Sequence, residues 1–146
     1  MSVTIREMTL DDYEGTVALW RSVPGVAVTE DDTLDGVAAF LRRNPGLSLA
    51  ALDGGRLVGV VLCGHDGRRG YISHLAMADT HHRLGIGGRL VGRCIELLHE
   101  AGIQKCHVFV FRENGTALSF WKDAGWVPRG ELEVLSTYTV PPEGKP

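Results

Sequence analysis

The residues from Leu84 to Gly88 have the composition of an anion-binding loop. The loop contains three glycines, Gly85, Gly87 and Gly88, and it precedes a run with helical apolar spacing that begins at Leu90. The first N–H groups of a helix have no partner within the helix, and the helix dipole adds positive charge there, so such a junction attracts phosphate oxygens. Three arginines flank the loop and can pair with further phosphate charge: Arg83, Arg89 and Arg93. On this feature alone, a second interpretation is equally open: the glycines serve only the steric needs of a tight helix start.

Other ligand-binding motifs are missing from the sequence. There is no G-x-x-x-x-G-K-[ST] segment, and no G-x-G-x-x-G lies in a βαβ unit with an acidic residue at the right distance. His81 and His82 are adjacent rather than four residues apart on a helix, so they lack the spacing of a metal site. The sequence therefore predicts neither a nucleotide site of these two kinds nor a bound metal.

Two segments resemble the acetyl-CoA-binding motifs of the GNAT family of N-acetyltransferases. Residues 75–90 resemble the family's strand that ends in an (Arg/Gln)-x-x-Gly-x-(Gly/Ala) loop, with Gly85 and Gly87 at the small positions and His82 where Arg or Gln is usual. Residues 114–126 resemble its Asn-x-x-Ala-x-x-(Phe/Leu)-Tyr-x-x-x-Gly-Phe segment. The resemblance covers about residues 3–140, so it implies an acetyltransferase fold.

The resemblance also implies where acetyl-CoA binds. In this family the fourth and fifth strands splay apart, and the pantetheine arm lies against exposed main chain of the fourth strand. The pyrophosphate lies over the glycine loop, where main-chain N–H groups donate most of its hydrogen bonds. The cofactor-binding residues implied in this chain are Leu75, Ala76, Met77, His82, Arg83, Leu84, Gly85, Ile86, Gly87, Gly88, Arg89, Asn114, Ala117, Phe120 and Trp121.

The reaction implied is direct attack of a primary amine on the thioester of acetyl-CoA. A main-chain N–H near Met77 would stabilise the oxyanion. The family often uses a Tyr to protonate the departing thiolate, but Trp121 stands there, and its indole N–H is not a useful acid near neutral pH. Tyr138 and Tyr71 are candidate substitutes. A CoA thiolate needs only modest assistance to leave.

His74 is the leading candidate for the base that deprotonates the acceptor. It lies just before the strand residues that would contact the cofactor, and histidine titrates near neutrality. The alternative is a histidine packed within its strand. Asp66, Glu30 and Glu113 are weaker candidates on loops.

Three functions remain open at this stage. The first is an acetyl-CoA-dependent N-acetyltransferase acting on an unidentified small-molecule amine or protein N-terminus. The second is a non-catalytic acyl-CoA binding or sensing domain, which Trp121 keeps open. The third is an interaction domain whose glycine loop is only a tight helix start. Trp20 and the loop through Val28 correspond to the stretch that shapes the acceptor pocket in the family, and a homodimer is also left open.

The elements that must position these residues follow the order β-α-α-β-β-β-α-β-α-β. This order predicts an α/β (α+β mixed) fold, a mixed and mostly antiparallel sheet with helices on both faces. We expect one domain over residues 1–140 and a loose tail at 141–146. The predicted strands are Val3–Arg6, Leu47–Leu52, Leu57–Leu62, Tyr71–Met77, Cys106–Phe111 and Leu132–Val140. Thr9 with Asp12 predicts a capping box for the first helix, and Asp31 or Asp32 a cap for the second.

Composition narrows the class of protein. The 146 residues carry 15 Lys+Arg against 18 Asp+Glu, a net charge of -3, which provides no field to hold a nucleic acid. No apolar run reaches the roughly 18 residues of a membrane span, and no signal segment opens the chain. Cys63, Cys94 and Cys106 are odd in number and lie in apolar stretches, as buried thiols in a reducing compartment do. We therefore expect a cytoplasmic protein.

Overall fold

The computed structural model describes residues 2–81 and 84–140, which fall into two compact units, 1–114 and 115–146. His82 and Arg83, which precede the glycine loop, and the predicted tail at 141–146 lie outside the described residues. The strands, all in the first unit, are β1 Val3–Glu7, β2 Leu49–Asp53, β3 Arg56–His65, β4 Gly70–Met77 and β5 Cys106–Val108. The helices are α1 Tyr13–Ser22, α2 Leu34–Arg43 and α3 Ile86–Glu100 in the first unit, and α4 Gly115–Asp123 in the second. Three 3₁₀ turns occur, at Leu10–Asp12, Glu30–Asp32 and Asp79–His81.

The five strands form one sheet in the order β1-β2-β3-β4-β5. The first four are antiparallel neighbours, and β5 pairs with β4 in parallel. This is the mixed, mostly antiparallel sheet predicted from the element order. A parallel pair needs a crossover connection, and α3 supplies it between β4 and β5.

Helices cover both faces of this sheet. Side chains alternate between faces along a strand, so Val60 and Leu62 of β3 point together into a core with Trp20 of α1 and Val37 of α2. On the opposite face, a Cβ placed on Gly59 would lie 3.2 Å from the side chains of both Ile86 and Leu90 of α3. Glycine at this position therefore lets α3 approach the sheet closely.

The predicted sixth strand is wrong. Leu132–Val140 shows no strand, and its side chains are exposed, with Val134 and Leu135 at 68% and 92%. An alternating apolar pattern specifies a strand only where a neighbouring backbone completes the ladder, and none of the described residues does so here. β5 is also shorter than predicted, ending at Val108 rather than Phe111.

The cap of α2 also differs from the prediction. The side chain of Thr33, not Asp31 or Asp32, accepts the hydrogen bond from the N–H of Gly36 at 3.1 Å. Asp31 and Asp32 lie instead in the preceding 3₁₀ turn. The predicted pair of Thr9 and Asp12 forms, since the N–H of Thr9 donates to the Asp12 carboxylate at 2.9 Å, but it caps the 3₁₀ turn Leu10–Asp12 that precedes α1 rather than α1 itself.

Candidate active site

The edge of β4 is open beyond Ile72. β5 pairs with β4 only from Gly70 to Ile72, whereas β4 continues to Met77. Along Ser73–Met77, no described strand lies on the β5 side. The carbonyl of His74 accepts from the indole N–H of Trp20. The other main-chain N–H and C=O groups that point to the β5 side are strong hydrogen-bonding groups without a described strand partner, so they are available to an extended ligand such as a pantetheine arm. An open β4 edge beyond a short β4–β5 pairing is consistent with the strand arrangement that the resemblance implied.

The glycine loop leads into α3 as an anion site would. Gly85 has φ 75°, a left-handed conformation that glycine adopts without strain, and the first helical bond runs from the N–H of Arg89 to Gly85 at 3.0 Å. The N–H groups of Ile86, Gly87 and Gly88 precede that bond, so the helix gives them no partner. These groups fit the pyrophosphate of a coenzyme A ester.

Two of the three flanking arginines have protein partners. Arg89 donates to the main-chain oxygen of Val3 at 3.2 Å, and Arg93 pairs with Glu96 at 3.2 Å. Arg83 lies outside the described residues. Among the described residues, the main-chain N–H groups at the start of α3 are therefore the main donors open to a phosphate group.

A buried histidine anchors the junction between β4 and this loop. His81 is 6% exposed, and its Nε2 lies 2.8 Å from Oδ2 of Asp53, at the end of β2. Its Nδ1 lies 2.7 Å from the hydroxyl of Thr80. With Nε2–H donating to the carboxylate, Nδ1 accepts from the hydroxyl, so one tautomer satisfies both contacts.

His74 occupies a bulge in the middle of β4. In the β3–β4 register, Val60 pairs with Ala76 and Leu62 with Ser73, so His74 and Leu75 together oppose one residue of β3. His74 has φ 54°, and it is the one non-glycine residue with positive φ in the described chain. The bulge turns the His74 side chain toward α1, where its ring meets that of Trp20 edge-on, with centroids 4.7 Å apart.

Asp32 holds the His74 ring. Its Oδ2 lies 3.0 Å from Nε2 of His74 and also accepts from the N–H of Thr29 at 2.9 Å. The Asp32 side chain is 6% exposed, and its main-chain oxygen accepts from the hydroxyl of Tyr13 at 2.6 Å. Buried carboxylates need such donors. This partnership could not be predicted from the sequence, because the two residues are 42 positions apart.

The remaining predicted residues divide between the units. In the second unit, Trp121 is buried, with its ring 5.1 Å from that of Phe120 and 4.8 Å from that of Trp126. Ala117 is half-buried and Tyr138 is 51% exposed. Their roles at the site stay predictions. In the first unit, the amide of Asn114 packs against Gly25, where φ is 89° and no Cβ would fit.

The weaker base candidates lie elsewhere. Asp66 is in the β3–β4 turn, where its Oδ1 accepts from the N–H groups of Arg68 and Arg69 at 2.8 Å each. Glu30 begins the 3₁₀ turn that contains Asp32, and Glu113 is exposed. Within residues 2–81 and 84–140, no group of three or more His, Cys, Asp or Glu side chains is arranged to hold a metal ion. In the same ranges, no helix has the length and apolar character to cross a bilayer.

A mixed sheet with an open β4 edge beside a glycine-started helix is the arrangement that the resemblance to coenzyme A-dependent acetyltransferases implied. Comparison with known proteins narrows this class. The family model described as "Acetyltransferase (GNAT) family" matches residues 5–126, so the chain belongs to that family. The protein is an N-acetyltransferase that takes its acetyl group from acetyl-CoA.

Curated relatives agree with the family. An acetyltransferase of Pectobacterium atrosepticum is 29% identical over 118 residues, covering 81% of this chain and 83% of the relative. An acetyltransferase of Sodalis glossinidius is 28% identical over the same length, covering 81% and 82%.

Solved structures share the fold. Ard1 from Thermoplasma volcanium has a TM-score of 0.76 at 22% identity, covering 87% of this chain and 84% of its own. The PaiA N-acetyltransferase from Thermoplasma acidophilum, solved in complex with coenzyme A, has a TM-score of 0.72 at 18% identity, covering 84% and 88%. The predicted family and fold are thus confirmed.

Proposed function

We propose that His74, oriented by Asp32, is the general base of this N-acetyltransferase. The observation that supports this role is the 3.0 Å contact between Nε2 of His74 and Oδ2 of Asp32. His74 lies on β4 immediately before Leu75, Ala76 and Met77, the residues proposed to contact the pantetheine arm. An imidazole beside the thioester would be in reach of the attacking amine.

The contact with Asp32 assigns a role to each ring nitrogen. With Nε2–H donating to the carboxylate, Nδ1 is left to accept a proton from the acceptor's ammonium group. The carboxylate then stabilises the imidazolium that forms. Asp32 is a positioning residue, because it acts on the acceptor only through His74.

Attack by the freed amine on the thioester carbonyl forms the C–N bond and expels coenzyme A as a thiolate. The main-chain N–H of Met77 is the proposed donor to the oxyanion. Tyr138 is the proposed acid, since Trp121 at the family's usual Tyr position has no acidic proton near neutral pH. Because a thiolate is a good leaving group, we expect substitution of Tyr138 to slow turnover less than substitution of His74.

The acceptor is proposed to be a primary amine, on a small molecule or a protein N-terminus. A net charge of -3 favours such an ammonium-bearing partner over a nucleic acid. The free thiols of Cys63, Cys94 and Cys106 favour a reducing, cytoplasmic setting, and a homodimer is left open. The rival function, a non-catalytic acyl-CoA sensor, is favoured only by Trp121.

The test compares His74→Gln with His99→Gln, a matched change at an exposed histidine in the last turn of α3. Both variants and the wild type are assayed for thiol release from acetyl-CoA against a panel of primary amines, and for acetyl-CoA binding by calorimetry. We expect His74→Gln to lower kcat by about 10²–10⁴-fold with unchanged acetyl-CoA affinity, and His99→Gln to behave as the wild type. Equal kcat in all three proteins would remove His74 from the mechanism. Tight acetyl-CoA binding without turnover of any amine by the wild type would establish the sensor instead.

A further inference from the structure

Two side chains of α1 hold the backbones of the proposed base, His74, and of its partner, Asp32. The hydroxyl of Tyr13 donates to the main-chain oxygen of Asp32 at 2.6 Å. The indole N–H of Trp20 donates to the main-chain oxygen of His74 at 3.0 Å. The two bonds join residues that are 19 and 54 positions apart, so both are tertiary contacts. One helix is therefore bound to both partners of the contact between Asp32 and His74.

The two donors lie on the same face of α1. Tyr13 and Trp20 are seven positions apart, which corresponds to two helical turns and about 10 Å along the axis. Trp20 is fully buried in the core with Val60 of β3, and Tyr13 packs against the same core. The separation of the two donors is thus set by a helix that is itself packed onto the sheet.

Asp32 and His74 need such support from outside their own elements. Asp32 ends a 3₁₀ turn of three residues, and His74 lies in the bulge that interrupts the pairing of β4 with β3. The carboxylate and the imidazole nevertheless meet at 3.0 Å, and both side chains are mostly buried. A hydrogen bond weakens steeply as its geometry departs from the optimum. The two backbones must therefore be held at a fixed separation, and α1 contacts both.

Trp20 also contacts the side chain of His74. The two rings meet edge-on, with centroids 4.7 Å apart. Such edge contacts between rings favour one relative orientation. Trp20 therefore orients the imidazole plane as well as the carbonyl behind it.

We propose that Tyr13 and Trp20 are positioning residues for acetyl transfer, which from one face of α1 set the distance between Asp32 and His74. Both act through that pair, because each donor binds a main-chain oxygen of the protein and not the acceptor. The effect on turnover rests on the proposed role of His74 as the base, whereas the effect on the contact between Asp32 and His74 does not.

Tyr13→Phe and Thr16→Val are matched substitutions on this face of α1. Each removes one hydroxyl group and leaves the shape of the side chain nearly unchanged. Thr16 lies between the two donors, but its Oγ1 is buried and has no hydrogen-bond partner among the described residues. Removing a hydroxyl without a partner is close to neutral for folding. Thr16→Val is therefore the control for the loss of the Tyr13 hydroxyl.

The kinetic test measures kcat with the primary amine that the wild type acetylates fastest, for each variant alone and combined with His74→Gln. We expect Tyr13→Phe to lower kcat by about three- to tenfold, the scale of one hydrogen bond, with unchanged affinity for acetyl-CoA in calorimetry. Trp20→Phe should also lower kcat, and Thr16→Val should not. Because Tyr13 and Trp20 act through His74, both losses should disappear in the His74→Gln background. Where His74→Gln itself lowers kcat, a wild-type kcat for Tyr13→Phe, or the same loss in both backgrounds, would overturn the proposal.

An NMR test of the free protein needs no acceptor. In the wild type and in Thr16→Val, the Nε2–H of His74 that donates to Asp32 should give a slowly exchanging signal in ¹⁵N-labelled imidazole. We expect this proton to exchange faster in Tyr13→Phe, with the far-UV circular dichroism of all three proteins alike. Equal exchange in Tyr13→Phe and the wild type would contradict the positioning role. If exchange quickens as expected but His74→Gln keeps the wild-type kcat, or no amine is acetylated, the positioning role stands and the reaction assigned to His74 falls.

Discussion

The indole N–H of Trp20 donates a 3.0 Å hydrogen bond to the main-chain oxygen of His74. Trp20 of α1 is fully buried in the hydrophobic core, so this bond ties the bulge of β4 to that core. A left-handed conformation costs a non-glycine residue about 1–2 kcal/mol. The bond from Trp20 and the contact of the ring with Asp32 together hold His74 in that conformation.

This strain predicts an inverted ranking of two substitutions at position 74. Alanine is usually more stable than glycine within a strand by about 0.5–1 kcal/mol. At φ 54° the preference should reverse, so we expect His74→Gly to be more stable than His74→Ala by about 1 kcal/mol, with both catalytically impaired. Denaturant unfolding of the two variants measures the difference. If His74→Ala proves the more stable variant, the residue is not held in a left-handed conformation.

If the N–H groups at the start of α3 bind the pyrophosphate, a charged side chain at Gly88 should be compatible with folding and incompatible with binding of acetyl-CoA. A Cβ on Gly88 would meet nothing within 4 Å, so Gly88→Glu should fold, and a carboxylate in the first turn favours the helix dipole. The same charge would repel the pyrophosphate. We expect acetyl-CoA affinity to fall at least about tenfold in calorimetry.

Gly92 provides the matched control for this change. It lies one turn further along α3, is exposed, and also has open space around a Cβ. Gly92→Glu adds the same charge beyond the first turn, so its affinity for acetyl-CoA should stay near that of the wild type. Equal affinities in both variants would place the pyrophosphate elsewhere.

The glycine loop, the strand before it and the helix after it could be predicted from the sequence, because they are local patterns with a direct backbone meaning. That His74 lies on β4, the strand before this loop, could also be predicted from the sequence, and the resemblance to the family implied the open edge of that strand. Its partner Asp32 could not, because helix-cap rules assign such a residue to its own turn. The left-handed bulge could not be predicted either, because the residue at its centre is not a glycine.

For residues 132–140, the sequence predicted an element that the structure does not contain. Their alternating apolar residues predicted a strand, yet strand formation depends on a partner that the segment itself does not encode. The missing information is tertiary.

We expect the contact between Asp53 and His81 to affect the binding of acetyl-CoA and not the chemical step. Asp53→Asn leaves the buried imidazole of His81 with a weaker partner, and His81 leads directly into the glycine loop. We expect a KM for acetyl-CoA raised several-fold with kcat little changed, since the 2.8 Å contact positions the loop and not the acceptor. Steady-state kinetics at saturating amine distinguishes the two parameters. A fall in kcat without a change in KM would contradict this role.

The pair formed by Arg6 and Asp12 predicts how stability changes in acid. The guanidinium of Arg6 binds both carboxylate oxygens at 2.8 Å, and this hydrogen bonding, with that of the Thr9 N–H, holds the pKa of Asp12 below its usual range. A carboxyl group with a depressed folded-state pKa contributes stability above its unfolded pKa and loses it as the pH falls through the folded one. Asp12→Asn should therefore lower the free energy of unfolding by about 1–2 kcal/mol near neutral pH, and the gap to the wild type should close below about pH 4. Denaturant unfolding across this range, with Asp11→Asn at the exposed neighbour as control, tests the prediction. A gap that stays constant with pH would mean that Asp12 acts through packing alone, because only an ionised carboxylate can lose this contribution on protonation.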